Sequence, residues 1–160
     1  MDIESLLKSL NAYKVRYVII GATAFPIHGY ARATLDIDIF IAATPENCRR
    51  TRDALQAFGY DMSDVTVDDL RTKKVLIRQY LVETDIHPHV AGVTFEQVWA
   101  GRIAGHIGAT AAGFASLDDL IKMKRAAARP KDLEDLRVLL ELQARGTTAV
   151  EPSAGGPAGR

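Results

Sequence analysis

The sequence predicts an α+β (α/β) fold: a small mixed β-sheet flanked by helices, with further helices at the C-terminal end. Three observations carry this. Ile3, Leu6, Leu7 and Leu10 recur at the spacing of one helix face. Tyr17-Val18-Ile19-Ile20 is a short apolar run closed by Gly21, and Leu35 to Ile41 alternates apolar and polar, so both read as strands. Two helical stretches, about 117–128 and 130–144, end the patterned part of the chain.

The elements follow in order. After the opening helix and first strand, Ala22 to His28 reads as a short helix stopped by Gly29. The alternating strand comes next. Thr44-Pro45 supplies a capping hydroxyl and then a proline at the first helical position, so a helix runs to about Phe58 and closes at Gly59. Asp68 to Lys73 fits a helical turn, Val75 to Tyr80 a strand, and Val82 to His87 a further strand ending near Pro88. Thr94 to Ala100 fits a short helix whose Phe95, Val98 and Trp99 are core residues. Residues 103–113 are small, Gly/Ala-rich and without clear pattern. Ser116 begins the next helix, Arg129-Pro130 breaks it, and Pro130 starts the last. The domain is expected to span residues 1–145, with 146–160 a disordered tail of Gly, Ala, Pro and Thr.

Composition excludes several classes. The 160 residues are 48% hydrophobic and 25% charged, the make-up of one globular domain. Twenty basic and twenty acidic residues balance, so non-specific nucleic-acid binding through overall charge is excluded and any such contact is a local patch. Cys48 is the only cysteine, which rules out an internal disulfide and fits a reducing cytoplasm. The acidic start has no apolar run behind it, and no stretch approaches a membrane span. A cytoplasmic protein without membrane attachment is expected.

The residues with chemical potential begin with Asp36 and Asp38. They share one strand face, roughly 7 Å apart at Cα, close enough to converge on a hard cation such as Mg2+. The competing reading is a solvated face of an edge strand. Gly21, Ala22 and Thr23 form a strand-to-helix turn where backbone amides can meet phosphate. Asp85 lies opposite apolar neighbours in its strand and would complete a three-carboxylate site. A rival set is Asp85, His87 and His89, at spacing that suits a transition metal if the strand persists through Pro88. Lys124 falls on the inner stripe of its helix, where it either snorkels outward or reaches an internal anion. Arg129 and Lys131 stand at a helix start that could meet phosphate, while a solvated, salt-bridged helix end is the simpler reading for Lys131 and Asp135. Arg49, Arg50 and Arg52 read as a solvated face or a weak RNA patch.

Val18 to Ala24, followed by His28-Gly29-Tyr30-Ala31-Arg32-Ala33-Thr34-Leu35-Asp36-Ile37-Asp38, resembles the signature of small bacterial and archaeal nucleotidyltransferases of the DNA polymerase β-like superfamily. These include minimal nucleotidyltransferases and abortive-infection toxins of toxin–antitoxin systems. Leu117 to Lys124 and Arg129 to Leu136 are similar to the same group, so the resemblance spans about residues 15–142. It implies transfer of a nucleoside monophosphate from an NTP to a hydroxyl of RNA, protein or a small molecule. It implies two Mg2+ ions, with Mn2+ an alternative. By position, Gly21 and the amides of Ala22 and Thr23 hold the triphosphate. Asp36, Asp38 and Asp85 bind the metals, with Asp85 orienting the attacking hydroxyl or taking its proton. Lys124 and Arg129 contact donor phosphate, Asp132 supports that site, and Arg32 and Thr34 shape the loop. A cognate antitoxin would be the partner of a toxin. The departure is Ala22, where the group has glycine or serine. That departure motivates the alternative, a catalytically inactive nucleotide- or protein-binding module of the same fold.

Overall fold

The computed structural model describes residues 2–155, with side chains placed for 2–146. Helix α1 (Ile3–Ala12) is capped by Asp2, whose carboxylate accepts from the Ser5 amide, and it buries Leu6, Leu7 and Leu10. Strand β1 (Tyr17–Ile20) is buried along its whole length. Strand β2 (Asp36–Ile41) pairs antiparallel with β1, placing Ile20 opposite Asp38. Helix α2 (Pro45–Phe58) has the expected Thr44 cap and ends at Gly59. Helix α3 (Val67–Thr72) leads to β3 (Val75–Ile77), and β4 (Glu83–His87) follows. Helix α4 (Phe95–Gly101) precedes β5 (Ile103–Ile107) and β6 (Thr110–Phe114), and α5 (Leu117–Ala127) and α6 (Asp132–Gly155) close the order.

The six strands form one mixed sheet in the order β3-β4-β2-β1-β6-β5. Strands β2 and β4 run parallel, as do β1 and β6, and the other pairs are antiparallel. Strand β2 is therefore interior to the sheet, which removes the solvated-edge reading of Asp36 and Asp38. Ile37, Ile39 and Ile41 are fully buried, and Phe40 on the opposite face packs edge-on against Phe95 of α4 at 5.3 Å. Both faces of β2 are thus covered at its C-terminal half.

Buried polar groups are tied down. Asn47 Nδ2 donates to the Arg16 and Ala42 carbonyls while its Oδ1 accepts from the Arg16 amide, pinning the start of α2 to the β1 entry. Tyr60 Oη donates to the Val82 carbonyl, fixing the approach to β4. Trp99 and Phe95 pack at the edge of the core, with Arg16 4.8 Å from the Trp99 ring centre and Arg102 3.7 Å.

Several expectations are corrected. The patternless residues 103–113 form the β5–β6 hairpin, turning at Gly108 (φ 59°), where a Cβ would overlap the Glu4 carboxylate of α1. Alternation is weak there because β5 is an edge strand and its neighbours are glycine and alanine. Ala22 to His28 is two 3-10 turns, Gly21–Ala24 and Pro26–His28, rather than one helix. Leu35 lies outside β2 and is 83% exposed. Strand β3 stops at Ile77, and α6 begins at Asp132, two residues after Pro130. Helix α6 continues past Gly146 to Gly155; the expected tail otherwise lies outside the described residues. Among those residues, no helix is long and apolar enough to cross a membrane.

Leu7 is fully buried in α1, remote in sequence from the acidic strands. Leu7→Ala is expected to lower unfolding free energy by about 2–5 kcal/mol through lost burial and a residual cavity, read by urea denaturation.

Candidate active site

The parallel β2–β4 register sets Asp38 directly beside Asp85 and Phe40 beside His87. Alternate residues of a strand share a face, so Asp36, Asp38, Asp85 and His87 project to one side. Single ligand atoms of Asp38, Asp85 and His87 all lie within 4.8 Å of one another. Asp36 shares the face but not the cluster. Its Oδ1 accepts from Thr34 Oγ1 at 2.9 Å, and its side chain lies one strand step away. His89 is exposed and outside the cluster, so the Asp85-His87-His89 set is not assembled; His87 turns to Asp38 instead, with Nε2 2.8 Å from Oδ1.

Gly21 makes this close approach feasible. It has φ 69°, and a Cβ there would overlap Asp38 Oδ2. The 3-10 turn beginning at Gly21 is too short to build a substantial helix dipole, so any anion affinity at the loop comes from local amides. Thr23 Oγ1 donates to the Asp36 carbonyl at 3.4 Å, tying the loop to the acidic strand.

Asp85 is 5% exposed. Its Oδ1 is buried without an aligned hydrogen bond, although Arg78 Nη1 is 2.7 Å away, and Lys74 Nζ is 3.9 Å from Oδ2. Neither cation had a sequence signal beyond its place near β3. Only the β3–β4 pairing brings them to Asp85.

The C-terminal helices supply a second charged group. Of the two readings of Lys124, snorkelling outward or reaching an internal anion, the structure shows the second. Its Nζ lies 3.0 Å from Asp132 Oδ1 and 3.2 Å from Asp135 Oδ2. Arg129 Nε donates to Asp132 Oδ2 at 2.7 Å. Asp135 is the larger surprise: it is 2% exposed rather than a solvated helix end. Its carboxylate accepts from Tyr30 Oη at 2.9 Å and from Arg32 Nε and Nη2 at 2.9 and 3.0 Å. Arg32 thereby ties the loop before β2 to α6. The Arg129 guanidinium, with Lys124 adding to it, holds the Asp132 carboxyl far below the usual range against the opposing effect of burial. Burial pushes Asp135 up, but hydrogen bonds from Tyr30, Arg32 and Lys124 outweigh it and the net shift is downward. Lys131 is exposed, as expected, and Arg50 pairs with Glu46 while Arg52 donates to the Val65 and Met62 carbonyls, which leaves Arg49 as the exposed member of that cluster.

A hollow of about 160 Å3 collects Gly21, Asp38, Lys74, His87, Lys124 and Arg129, with Asp132 behind the last two. A larger one of about 770 Å3 is lined by the next loop residues, Ala22 and Thr23, together with Ile27, Arg32, Thr34 and Phe114. The lining mixes the carboxylates of Asp38 and Asp132 with the cations Lys74, Lys124 and Arg129, a set of charges that suits a polyanion bound with a metal. The family described as "Nucleotidyltransferase of unknown function (DUF6036)" matches residues 1–141. The chain belongs to that family. No curated protein matches it. Within this nucleotidyltransferase family, the matched span takes in both charged groups and the sheet between them.

Because Asp132 and Asp135 have lowered folded-state pKa values, their stabilisation is complete above the ordinary aspartate value of roughly 3.9 and is lost as pH falls through the lower folded values. Asp132→Asn is expected to cost about 1.5 kcal/mol or more near neutral pH, toward the low end because Arg129 is half exposed. Its stability should also fall less steeply than the wild type's below pH about 4. Urea denaturation across a pH series reads both.

Proposed function

We propose that this protein transfers a nucleoside monophosphate from an NTP to a hydroxyl acceptor in a divalent-metal-dependent reaction. The observation that supports it is one hollow in which Asp38, the strand neighbour of Asp85, meets Lys124, Arg129 and the Gly21 loop. The donor set fits a divalent cation. It offers two carboxylates and an imidazole whose ligand atoms lie within 4.8 Å of one another.

Asp38 and Asp85 would hold the metal, with Asp36 joining from the same strand face. Bound divalent ions, Mg2+ or Mn2+, supply activation of the acceptor oxygen and neutralise charge on departing pyrophosphate. The amides of Gly21, Ala22 and Thr23 approach the triphosphate, which no side chain at Gly21 obstructs. Lys124 and Arg129 donate to phosphate oxygens, and Asp132 positions both. Asp85 orients the acceptor hydroxyl and takes its proton, and the oxygen attacks the α-phosphorus as the bond to pyrophosphate breaks. The larger hollow beside Ala22 and Thr23 has the size of a small-molecule site and takes the nucleoside or the acceptor. The acceptor is RNA, protein or a small molecule. A toxin role opposed by a cognate antitoxin is the narrower form of the same reading.

One observation favours a second reading, a nucleotide- or protein-binding module without turnover. Arg78, Lys74 and His87 already place nitrogen groups against the two carboxylates, so the site is charge-compensated by the chain itself.

Each α-labelled NTP, offered with Mg2+ or Mn2+ to total tRNA and cell lysate, tests the first reading. Label on an acceptor is expected. Asp38→Asn and Asp85→Asn should each reduce it by about a hundred- to a thousandfold, the scale set by losing electrostatic stabilisation of the transition state, with circular dichroism unchanged. NTP binding with no label on any acceptor would support the module instead. Growth arrest on expression that disappears with Asp38→Asn would support the toxin form.

A further inference from the structure

Strand β4 carries a second functional side chain on the site face. His87 stands two residues beyond Asp85, so both project toward Asp38 of β2. Its ring nitrogen Nε2 lies 2.8 Å from Asp38 Oδ1. Adjacent ligands of a six-coordinate ion with bonds of roughly 2.1 Å stand about 3 Å apart. That contact is a hydrogen bond in this structure, and its length matches the separation of two ligands on one ion, which would take the place of the shared proton. The third atom comes from Asp85, and all three fall within 4.8 Å. Asp85 is buried, with Arg78 Nη1 2.7 Å from its Oδ1 and Lys74 Nζ 3.9 Å from its Oδ2, so a bound ion would share this carboxylate with them. His87 also lines the hollow with Gly21 and Asp38, so its ring edge is reachable from the side where a polyphosphate would enter.

The chemistry of this set differs from that of carboxylates alone. Mg2+ takes oxygen ligands and retains water, and it gains little from imidazole. First-row transition ions accept both, and Mn2+ shares the carboxylate preference of Mg2+ while accepting nitrogen more readily than Mg2+ does. We propose that His87 is a metal ligand, and that Asp38, Asp85 and His87 form a mixed oxygen–nitrogen site that prefers Mn2+ to Mg2+. This rests on the divalent-metal reading of the site and goes beyond it in ligand identity and ion choice. His87 is thereby separated from His89, which plays no part.

The test uses the full chain. Mn2+ is titrated alone and then against Mg2+, and pulsed electron paramagnetic resonance reads nitrogen coupled to the bound ion. Directly coordinated nitrogen is expected in the wild type, with Mg2+ a poor competitor. His87→Ala and His87→Gln should abolish the nitrogen signal. They should also weaken Mn2+ binding by roughly 10–100-fold, the loss that removing even a supporting partner of a ligand produces, while Mg2+ binding changes far less. Bound Mn2+ without nitrogen coupling in the wild type overturns the role of His87 and leaves a carboxylate site standing. Equal Mg2+ and Mn2+ affinity overturns the ion preference. Failure of both ions to bind overturns the metal reading itself. The wild-type spectrum decides the ligand role without any variant having to fold.

Discussion

The parallel pairing of β2 with β4 is the constraint on which the site depends. It sets Asp38 against Asp85 on neighbouring strands, at a spacing where two carboxylates repel. Such a pair needs positive charge or donors nearby, and the chain provides them from two directions. Arg78 and Lys74 approach Asp85 from the β3 side, and His87 approaches Asp38 from within β4. Gly21 leaves the remaining side open, because a side chain there would collide with Asp38. A slip of one residue in this pairing would turn Asp85 to the opposite face and dismantle the arrangement.

The C-terminal helices depend on the same frame. Lys124 is directed inward because Asp132 and Asp135 on α6 receive it, and Asp135 in turn gathers Tyr30 and Arg32 from the loop that leads into β2. One buried carboxylate thus links the last helix to the entry of the acidic strand. The cations that face the hollow are held by acids that do not themselves line the metal cluster. Breaking either acid leaves charge without a partner, which links the stability of the fold to the order of the site.

Local chemistry made much of this legible. The Thr44-Pro45 start and Gly59 stop of α2, the apolar stripe of α1 and the place of Lys124 on the inner stripe of its helix are each set by residues within a few positions of one another. The same holds for the shared face of Asp36 and Asp38. What escaped was set by distant partners. Strands β5 and β6 carry little alternation, since an edge hairpin rich in glycine and alanine has no two-sided burial to write into its sequence. Asp135 reads as a helix-end charge until Tyr30 and Arg32, a hundred positions away, arrive beside it.

Sequence alone determined the kinds of element, most of their ends, and the placement of two acids on one strand face, because periodicity and capping are local properties of the backbone. Tertiary structure decided the company those acids keep. Strand order put β2 inside the sheet, and register put Asp85 rather than Glu83 beside Asp38. His87 thereby came to Asp38 and away from His89, while Asp36 was left to Thr34. Register is a long-range outcome of burying one face of each strand, and no spacing within a single segment encodes it.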